Sequence, residues 1–550
     1  MQRLALSIHL HSWLKRVASI WVLPIVLSAG PALGATTITV QYGIFERSVS
    51  VDSLRIYAEQ GKVEPDLRIL IRSLDQPERL KSLLLNKVNL SEVTVSQFLY
   101  TAPGEMLLRQ LAQVIRTDAN LSGFYAIRGA LIQAAADPEG LTLLNVLEKF
   151  PLNDVRVDLS RAMRILRELE TLVQQSQAAI NLVEHQFSLE VNAQPWKNTF
   201  GLPDLRSPGR FTWQKLTIQV NNPQHNRSFP ADLYLPQNPP QASTQATPVV
   251  VISHGLGSDR TTFAYLAEQL ASYGFAVAVP EHPGSDAQHI QHLASGEVNQ
   301  VIQPSELINR PLDVKYLLDK LAHLSQSHAI SRQLDLQRVG VVGQSLGGYT
   351  ALALAGASFN TQPLTAGCST QDLLNLSLLL ECQAQALPQP LPALVDHRVK
   401  AVVAVDPIGS SLFQESGFKD ISIPVMIVSG SNDTVAPALL EQILPFTWLQ
   451  TPNKYLALLQ GGTHFSTIDS SDSDADQINL PSNVIGPDPT IAYTYLKALS
   501  VAFFETYIAD NSSYRSHLTA AYAQTISQPL MPINLVQSLP SARLTQALER

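Results

Sequence analysis

Gly343-Gln344-Ser345-Leu346-Gly347-Gly348 lies between an apolar run, Val339-Gly340-Val341-Val342, and a small-residue stretch, Tyr349-Thr350-Ala351-Leu352-Ala353-Leu354-Ala355. The run reads as a buried strand and the stretch as a helix. Gly-x-Ser-x-Gly at such a junction marks a turn too tight for side chains on its flanks. Glycines let the backbone bend and lift Ser345 at the edge of a sheet. The pentapeptide alone occurs by chance, so the strand before it and the helix after it carry the reading.

Working outward, short apolar runs recur at 249–253, 275–279, 339–342, 399–405, 425–429 and 455–459, and each but the last is followed by a helical pattern. Continuous apolar runs alternating with helices predict a mostly parallel sheet with helices on both faces. Residues 211–220 and 229–235 alternate as an antiparallel pair ahead of it, and 491–508 reads as a closing helix. Two insertions interrupt the pattern, at about 284–310 and 360–397, with a helix expected at 311–321 between the first and the next strand. Insertions at strand C-termini overhang the site in α/β sheets, so both are cap candidates. The second contains Leu373-Leu374-Asn375-Leu376-Ser377-Leu378-Leu379-Leu380, more apolar than one buried face requires. Such a surplus either lines a cleft or packs a core.

A serine hydroxyl needs a base and an orienting acid. The chain order expected after this kind of elbow is serine, acid, histidine. His464 follows the last strand in Gly461-Gly462-Thr463-His464-Phe465, and Asp433 follows the preceding one in Gly430-Ser431-Asn432-Asp433. Asp406, in Val405-Asp406-Pro407, is the rival acid; Pro407 tends to hold it extended. An oxyanion hole needs two backbone N–H groups. Leu346 follows the nucleophile, and Leu256 lies in His254-Gly255-Leu256-Gly257 after an early strand. His254 reads as a brace for that loop, and His282 as structural or pocket-lining.

These residues carry a resemblance. Ser253-His254-Gly255-Leu256-Gly257, Glu281-His282 and the elbow resemble the platelet-activating-factor acetylhydrolase and dienelactone-hydrolase-like esterases. Gly430 to Pro437 and Gly462 to Phe465 resemble bacterial cutinase-like polyester hydrolases. The layout as a whole resembles exported bacterial α/β-hydrolases with an N-terminal helical domain of unknown function. The resemblance covers about residues 205–510. It implies an α/β-hydrolase fold and a serine carboxylic-ester hydrolase, acting on a small-molecule or lipid ester through an acyl-enzyme without metal or cofactor. Dienelactone hydrolases use cysteine where this chain has Ser345, so lactone specificity does not carry over. The acetylhydrolase acid corresponds to Asp406 and the cutinase acid to Asp433. The rival readings are a non-catalytic binding protein on the same scaffold and a serine exopeptidase; the latter usually wants a charged anchor for a peptide terminus, and none can be pointed to.

The 550 residues suit two or three domains. Residues 1–34 read as a signal peptide, with Arg3, Lys15 and Arg16 before an apolar stretch too short to span a bilayer. Residues 35–190 read as a smaller, mostly helical domain, with a hairpin at 37–42 and 47–51, an N-cap at Asp52 and a long helix over 158–184. A linker at 191–208, the hydrolase domain at 209–527 and an extended tail at 528–550 complete the division. A net charge of −8 argues against a nucleic-acid partner. The expected location is exported, periplasmic or secreted, with no transmembrane anchor after cleavage. There Cys368 and Cys382, the only cysteines, are expected to pair; two free buried thiols is the other reading. Peptide mapping without reductant should recover the two cysteine peptides linked, and recovery of two alkylatable thiols would refute the pairing.

Overall fold

The computed structural model describes residues 34–549 except 44, 74–76, 89, 194–196, 198–200, 202, 224–225, 238–245, 328–332, 360–363, 365–367, 369–374 and 470–485. The proposed signal peptide, apart from Gly34, and most of 360–374 therefore lie outside the described residues.

The chain begins with a hairpin, β1 (Thr37–Tyr42) and β2 (Phe45–Ser50). Ser50, not Asp52, caps the helix Val51–Gln60: its hydroxyl accepts the Asp52 N–H at 3.1 Å. Gly61 ends that helix at φ +72°, in the left-handed region that glycine tolerates. The region is mostly helical, as expected, but its sheet is larger than the hairpin alone. Two short strands, β3 (Ile115–Thr117) and β4 (Asp154–Asp158), complete a four-stranded sheet of order β2-β1-β4-β3. β3 occupies the end of a segment whose apolar period predicts helix. Its N–H and C=O groups are taken by β4 instead.

The large sheet has nine strands in the order β13-β12-β11-β10-β9-β7-β8-β6-β5. β5 (Trp213–Asn222) and β6 (Arg227–Pro236) form the antiparallel edge. Then β8 (Ala276–Pro280), β7 (Thr247–Ser253), β9 (Leu334–Gln344), β10 (Val399–Val405), β11 (Val425–Gly430) and β12 (Lys454–Leu459) run parallel. Successive side chains go to opposite faces. Val249, Val251 and Val341 join one buried cluster, while Val250, Ile252 and Val342 join the other. The apolar runs are continuous because helices cover both faces.

The tail is a correction. In place of an extended surface segment, β13 (Ile533–Val536) pairs antiparallel with β12, and Ser541–Leu548 is a helix. The polar, proline-rich spacing around this four-residue strand hid it. The helix expected at 311–321 begins earlier and runs Glu306–Gln326 with Pro311 inside. Proline removes the N–H that would bond the carbonyl four residues back. That carbonyl, on Leu307, instead accepts the Tyr349 hydroxyl at 2.5 Å.

The first insertion carries the helix Ala287–Ser295, and the second carries Leu378–Glu381 followed by a 3-10 turn, Cys382–Ala386. Cys368 and Cys382 form a disulfide with their Cα atoms 5.7 Å apart. Both insertions touch the N-terminal region. Glu92–Leu99 packs on Ala287–Ser295, and Ala102–Val114 packs on Leu378–Glu381.

One helix, Leu159–Ala193, is longer than its pattern suggests and serves two cores. Its early turns pack on β1 and β4, while Ala179, Ile180 and Val183 lie in the hydrolase core beside Val536 and Leu544. Val183→Asp places a charge in that core, a change that costs several kcal/mol. It should lower the melting temperature and the activity of the whole chain together. Val173→Asp, on the same helix but 58% exposed, should change neither. A Val183→Asp protein with native melting and activity would contradict the shared core.

Candidate active site

The elbow stands where β7, β9 and β10 end. Ser345 has φ +55° and ψ −117°, a strained conformation for a residue with a side chain. Its N–H is held by the Val405 carbonyl at 2.9 Å. The flanking glycines answer to close contacts. A Cβ on Gly343 would lie 1.9 Å from the Gly347 carbonyl oxygen, and one on Gly347 would lie 2.0 Å from that of Ser253.

The loop after β12 lowers His464 onto the serine, with Nε2 2.9 Å from Ser345 Oγ. Its Nδ1 lies 2.7 Å from Asp433 Oδ2. The other oxygen of Asp433 accepts the N–H groups of Val435 at 2.8 Å and Ala436 at 2.7 Å, so the carboxylate is both turn-forming and fixed toward the ring. All three residues are buried, with Ser345 only 6% exposed. Burial disfavours the charged imidazole, but the charge of Asp433 and its hydrogen bond outweigh this and raise the His464 pKa above the ordinary value.

Asp406 does not bond the ring. Its Oδ1 accepts the Gly430 N–H at 2.8 Å, and its backbone takes φ +41° rather than the extended form that the following proline favours. The Asp406 N–H is bonded to the Val428 carbonyl at 2.8 Å, which turns the chain under β11. Burial first, and the neighbouring Asp433 charge second, push its carboxyl well above the carboxylate range.

Leu346 opens the helix Leu346–Leu354, and Leu256 lies on the loop after β7. Among the described residues, neither backbone N–H is taken by a protein acceptor. Gln344 is a residue whose role the sequence left unread. Its Nε2 donates to the His464 carbonyl at 3.1 Å, and its Oε1 sits where a Cβ on Gly255 would be 2.2 Å away. It therefore gauges the spacing of the histidine loop, the elbow and the Leu256 loop. A polar side chain beside the nucleophile was the available signal.

The insertions cover the site from two sides. Ile290, on Ala287–Ser295, sits 3.1 Å from where a Cβ on Gly257 would be. On the other side the Ser377 N–H bonds the Val435 carbonyl at 3.0 Å, next to the Asp433 turn. Ser377 Oγ lies 2.9 Å from both Glu381 Oε1 and Glu441 Oε1 and 2.6 Å from Asn375 Oδ1. One hydroxyl proton cannot serve three acceptors, so a carboxyl proton is needed. Burial, with the Glu441 charge behind it, pushes the Glu381 carboxyl well above the carboxylate range. Glu381 also accepts the N–H groups of Ser411 and Leu412, at 2.9 and 3.1 Å, which anchors the second insertion. Among the described residues no cluster of ligating side chains could hold a metal ion.

A strand, a strained serine, a helix and a histidine loop on a mostly parallel sheet decide the fold. This chain has the α/β-hydrolase fold. Residues 231–308 match a family model described as platelet-activating factor acetylhydrolase, isoform II, and residues 34–158 match one described as an α/β hydrolase of unknown function. The platelet-activating factor acetylhydrolase of Canis lupus familiaris is 25% identical over 147 residues, 21% of this chain and 33% of that protein. The protein of that name from Bos taurus is 23% identical over 137 residues, 19% of this chain and 31% of that one. The hydrolase thus spans about a third of the length of these curated relatives. Over the matched residues it resembles the platelet-activating-factor acetylhydrolase-like esterases.

The geometry separates the two acids experimentally. Asp433→Asn should lower kcat about 10⁴-fold, the loss expected when the base is left without its orienting charge; Asp406→Asn should cost far less. Rate requires neutral His464, so kcat/KM should fall as pH drops through its raised pKa, above the ordinary 6.5 or so. Removing the Asp433 charge removes what raises that pKa, so in Asp433→Asn the acid limb should move to lower pH. A larger loss in Asp406→Asn, or a limb that stays in place, would transfer the role to Asp406.

Proposed function

We propose that the hydrolase is a serine carboxylic-ester hydrolase working through an acyl-enzyme on lipid-like or other apolar esters. The observation that carries this reading is the unbroken line Ser345–His464–Asp433, with hydrogen bonds of 2.9 and 2.7 Å. Ser345 Oγ attacks the ester carbonyl while His464 Nε2 takes its proton. Asp433 holds the Nδ1 proton and stabilises the imidazolium. The N–H groups of Leu256 and Leu346 receive the oxyanion. His464 then returns the proton to the departing alkoxide oxygen, and water releases the acyl group by the same route.

The apolar substrate class rests on the leucine-rich second insertion beside the Asp433 turn. An exported, periplasmic or secreted location is proposed on the sequence of 1–34, on the Cys368–Cys382 disulfide and on the lack, among the described residues, of any helix long and apolar enough to cross a membrane. The division at 35–190, 191–208, 209–527 and 528–550 is proposed as a guide to regions, with Ala179 to Val183 and β13 contributing to the hydrolase core.

Ser345→Ala should abolish ester hydrolysis, by about 10⁶ in kcat if a hydrolytic triad is the sole source of rate, with melting unchanged. Fluorophosphonate labelling should disappear with it. Among p-nitrophenyl esters, kcat/KM should rise from acetyl to medium acyl chains. Labelling that persists at another serine would overturn the nucleophile, and a flat chain-length profile would overturn the apolar substrate class.

A further inference from the structure

The Leu256 loop is held by a buried polar chain that the catalytic line does not use. His254, fully buried, has two ring contacts. Nε2 faces the His282 backbone N–H at 3.1 Å, and Nδ1 lies 2.8 Å from the Gly255 carbonyl oxygen. A backbone N–H can only donate, so Nε2 is the bare, accepting nitrogen. A protonated Nε2 would set donor against donor. The neutral ring therefore carries its proton on Nδ1 and donates it to Gly255. Burial first, then the charge of Arg310, hold this imidazole well below its ordinary pKa and keep it neutral. Glu281 Oε1 is 3.6 Å from Nε2, beyond hydrogen-bond reach, and it is the other oxygen, Oε2, that accepts from Arg260 at 2.8 Å.

The donor that sets this tautomer is itself fixed. His282 Nδ1 lies 3.2 Å from Asp313 Oδ2, and its Nε2 lies 3.0 Å from Ser253 Oγ. Arg227 grips Asp313 through two hydrogen bonds of 2.8 and 2.7 Å. Ser253, His282 and Asp313 thus repeat the polarity of the catalytic line in a place closed to solvent. From the other side, the buried Arg310 donates to the His254 carbonyl.

The consequence is a matter of peptide geometry. In a trans peptide the carbonyl and the following N–H point in opposite directions. The Gly255 carbonyl is drawn toward the His254 ring, with a longer contact from the Ser258 N–H at 3.5 Å. The next peptide is pinned by the Gly257 N–H to the Ser285 carbonyl at 3.0 Å. The Leu256 N–H between them is turned away from the ring, on the strand end that Gly347 and Gln344 press against.

We propose that His254 is a positioning residue: as the Nδ1–H tautomer set by the His282 N–H, it clamps the Gly255 carbonyl and so aims the Leu256 N–H at the oxyanion. This rests on the serine-esterase reading above. A donor so held acts on the transition state and little on the ground state.

Three variants test it. His254→Ala loses both contacts. His254→Asn keeps a donor where Nδ1 stood, through its amide nitrogen. His254→Gln reaches the Nε2 position but not the Nδ1 one. Wild-type turnover and its loss in Ser345→Ala report on the esterase reading itself, independently of these. In His254→Ala, kcat should fall about 10²-fold, toward the loss seen when an oxyanion donor is removed, with KM within about threefold. The affinity for a trifluoromethyl ketone, whose serine adduct bears an oxyanion, should fall in parallel. His254→Asn should recover at least about tenfold of the loss, and His254→Gln should not. Equal rates in the Asn and Gln variants, a kcat within threefold of wild type in His254→Ala, or an unchanged inhibitor affinity would overturn the proposal. Failure of all three variants to fold would make His254 scaffold alone and would also overturn it.

Discussion

The arrangement depends on how closely three strand ends approach one another beneath Ser345. Gly343, Gly347 and Gly348 each occupy a place where a single added carbon would come within 3 Å of backbone: Gly347's own carbonyl, the Ser253 carbonyl and Pro407 Cα. β7, β9 and β10 therefore meet in a space set by van der Waals radii, and the strained φ of Ser345 is kept by its bond to Val405. Strain of this kind costs on the order of 1–3 kcal/mol and persists only where the surroundings over-determine it. The Leu256 loop and Asp406 grow from two of those same strand ends. Displacing one strand would move Ser345, the Leu256 loop and Asp406 together.

Much of this was legible in the chain. The six apolar runs became the six parallel strands because burial on both faces imposes continuous hydrophobicity. β10 matches its run residue for residue, since the charged residues Arg398 and Asp406 delimit it. The elbow was readable because its close backbone contacts need glycine at fixed places, and the histidine loop because it follows the last apolar run. What escaped notice was stabilised from afar. β3 and β4 are short and owe their pairing to partners distant in sequence. β13 is four residues long and exists because β12 offers an open edge. Pro311 lies inside a helix because Tyr349, 38 positions later, meets the carbonyl that the proline leaves bare.

Buried charge follows a similar division. Asp433 and Asp406 both end strands, and local sequence alone cannot say which carboxyl finds the imidazole. The answer came from where each side chain's hydrogen bonds are spent: Asp406 on Gly430, Asp433 on its own turn and on His464. Glu381 and Glu441 are unremarkable in sequence, since a lone glutamate usually marks a solvated face. Their burial follows from packing the second insertion, with Glu381, and the helical segment after β11, with Glu441, against the helix after β10, which provides backbone donors at Ser410, Ser411 and Leu412.

Gln460, four residues before His464, joins the long helix to the last strand. Its amide nitrogen donates to Glu184 of the long helix at 2.8 Å and to Asn534 of β13 at 2.7 Å. The long helix is about 50 Å from end to end at 1.5 Å per residue. The support of the histidine loop is therefore assembled from residues 350 positions apart. During synthesis the serine elbow can fold once β10 has emerged, but the histidine loop is braced only when β13 closes the sheet edge. A nascent chain halted before residue 533 would carry the His464 loop without its β13 support, so Ser345 and His464 would be held in register only after β13 has been made.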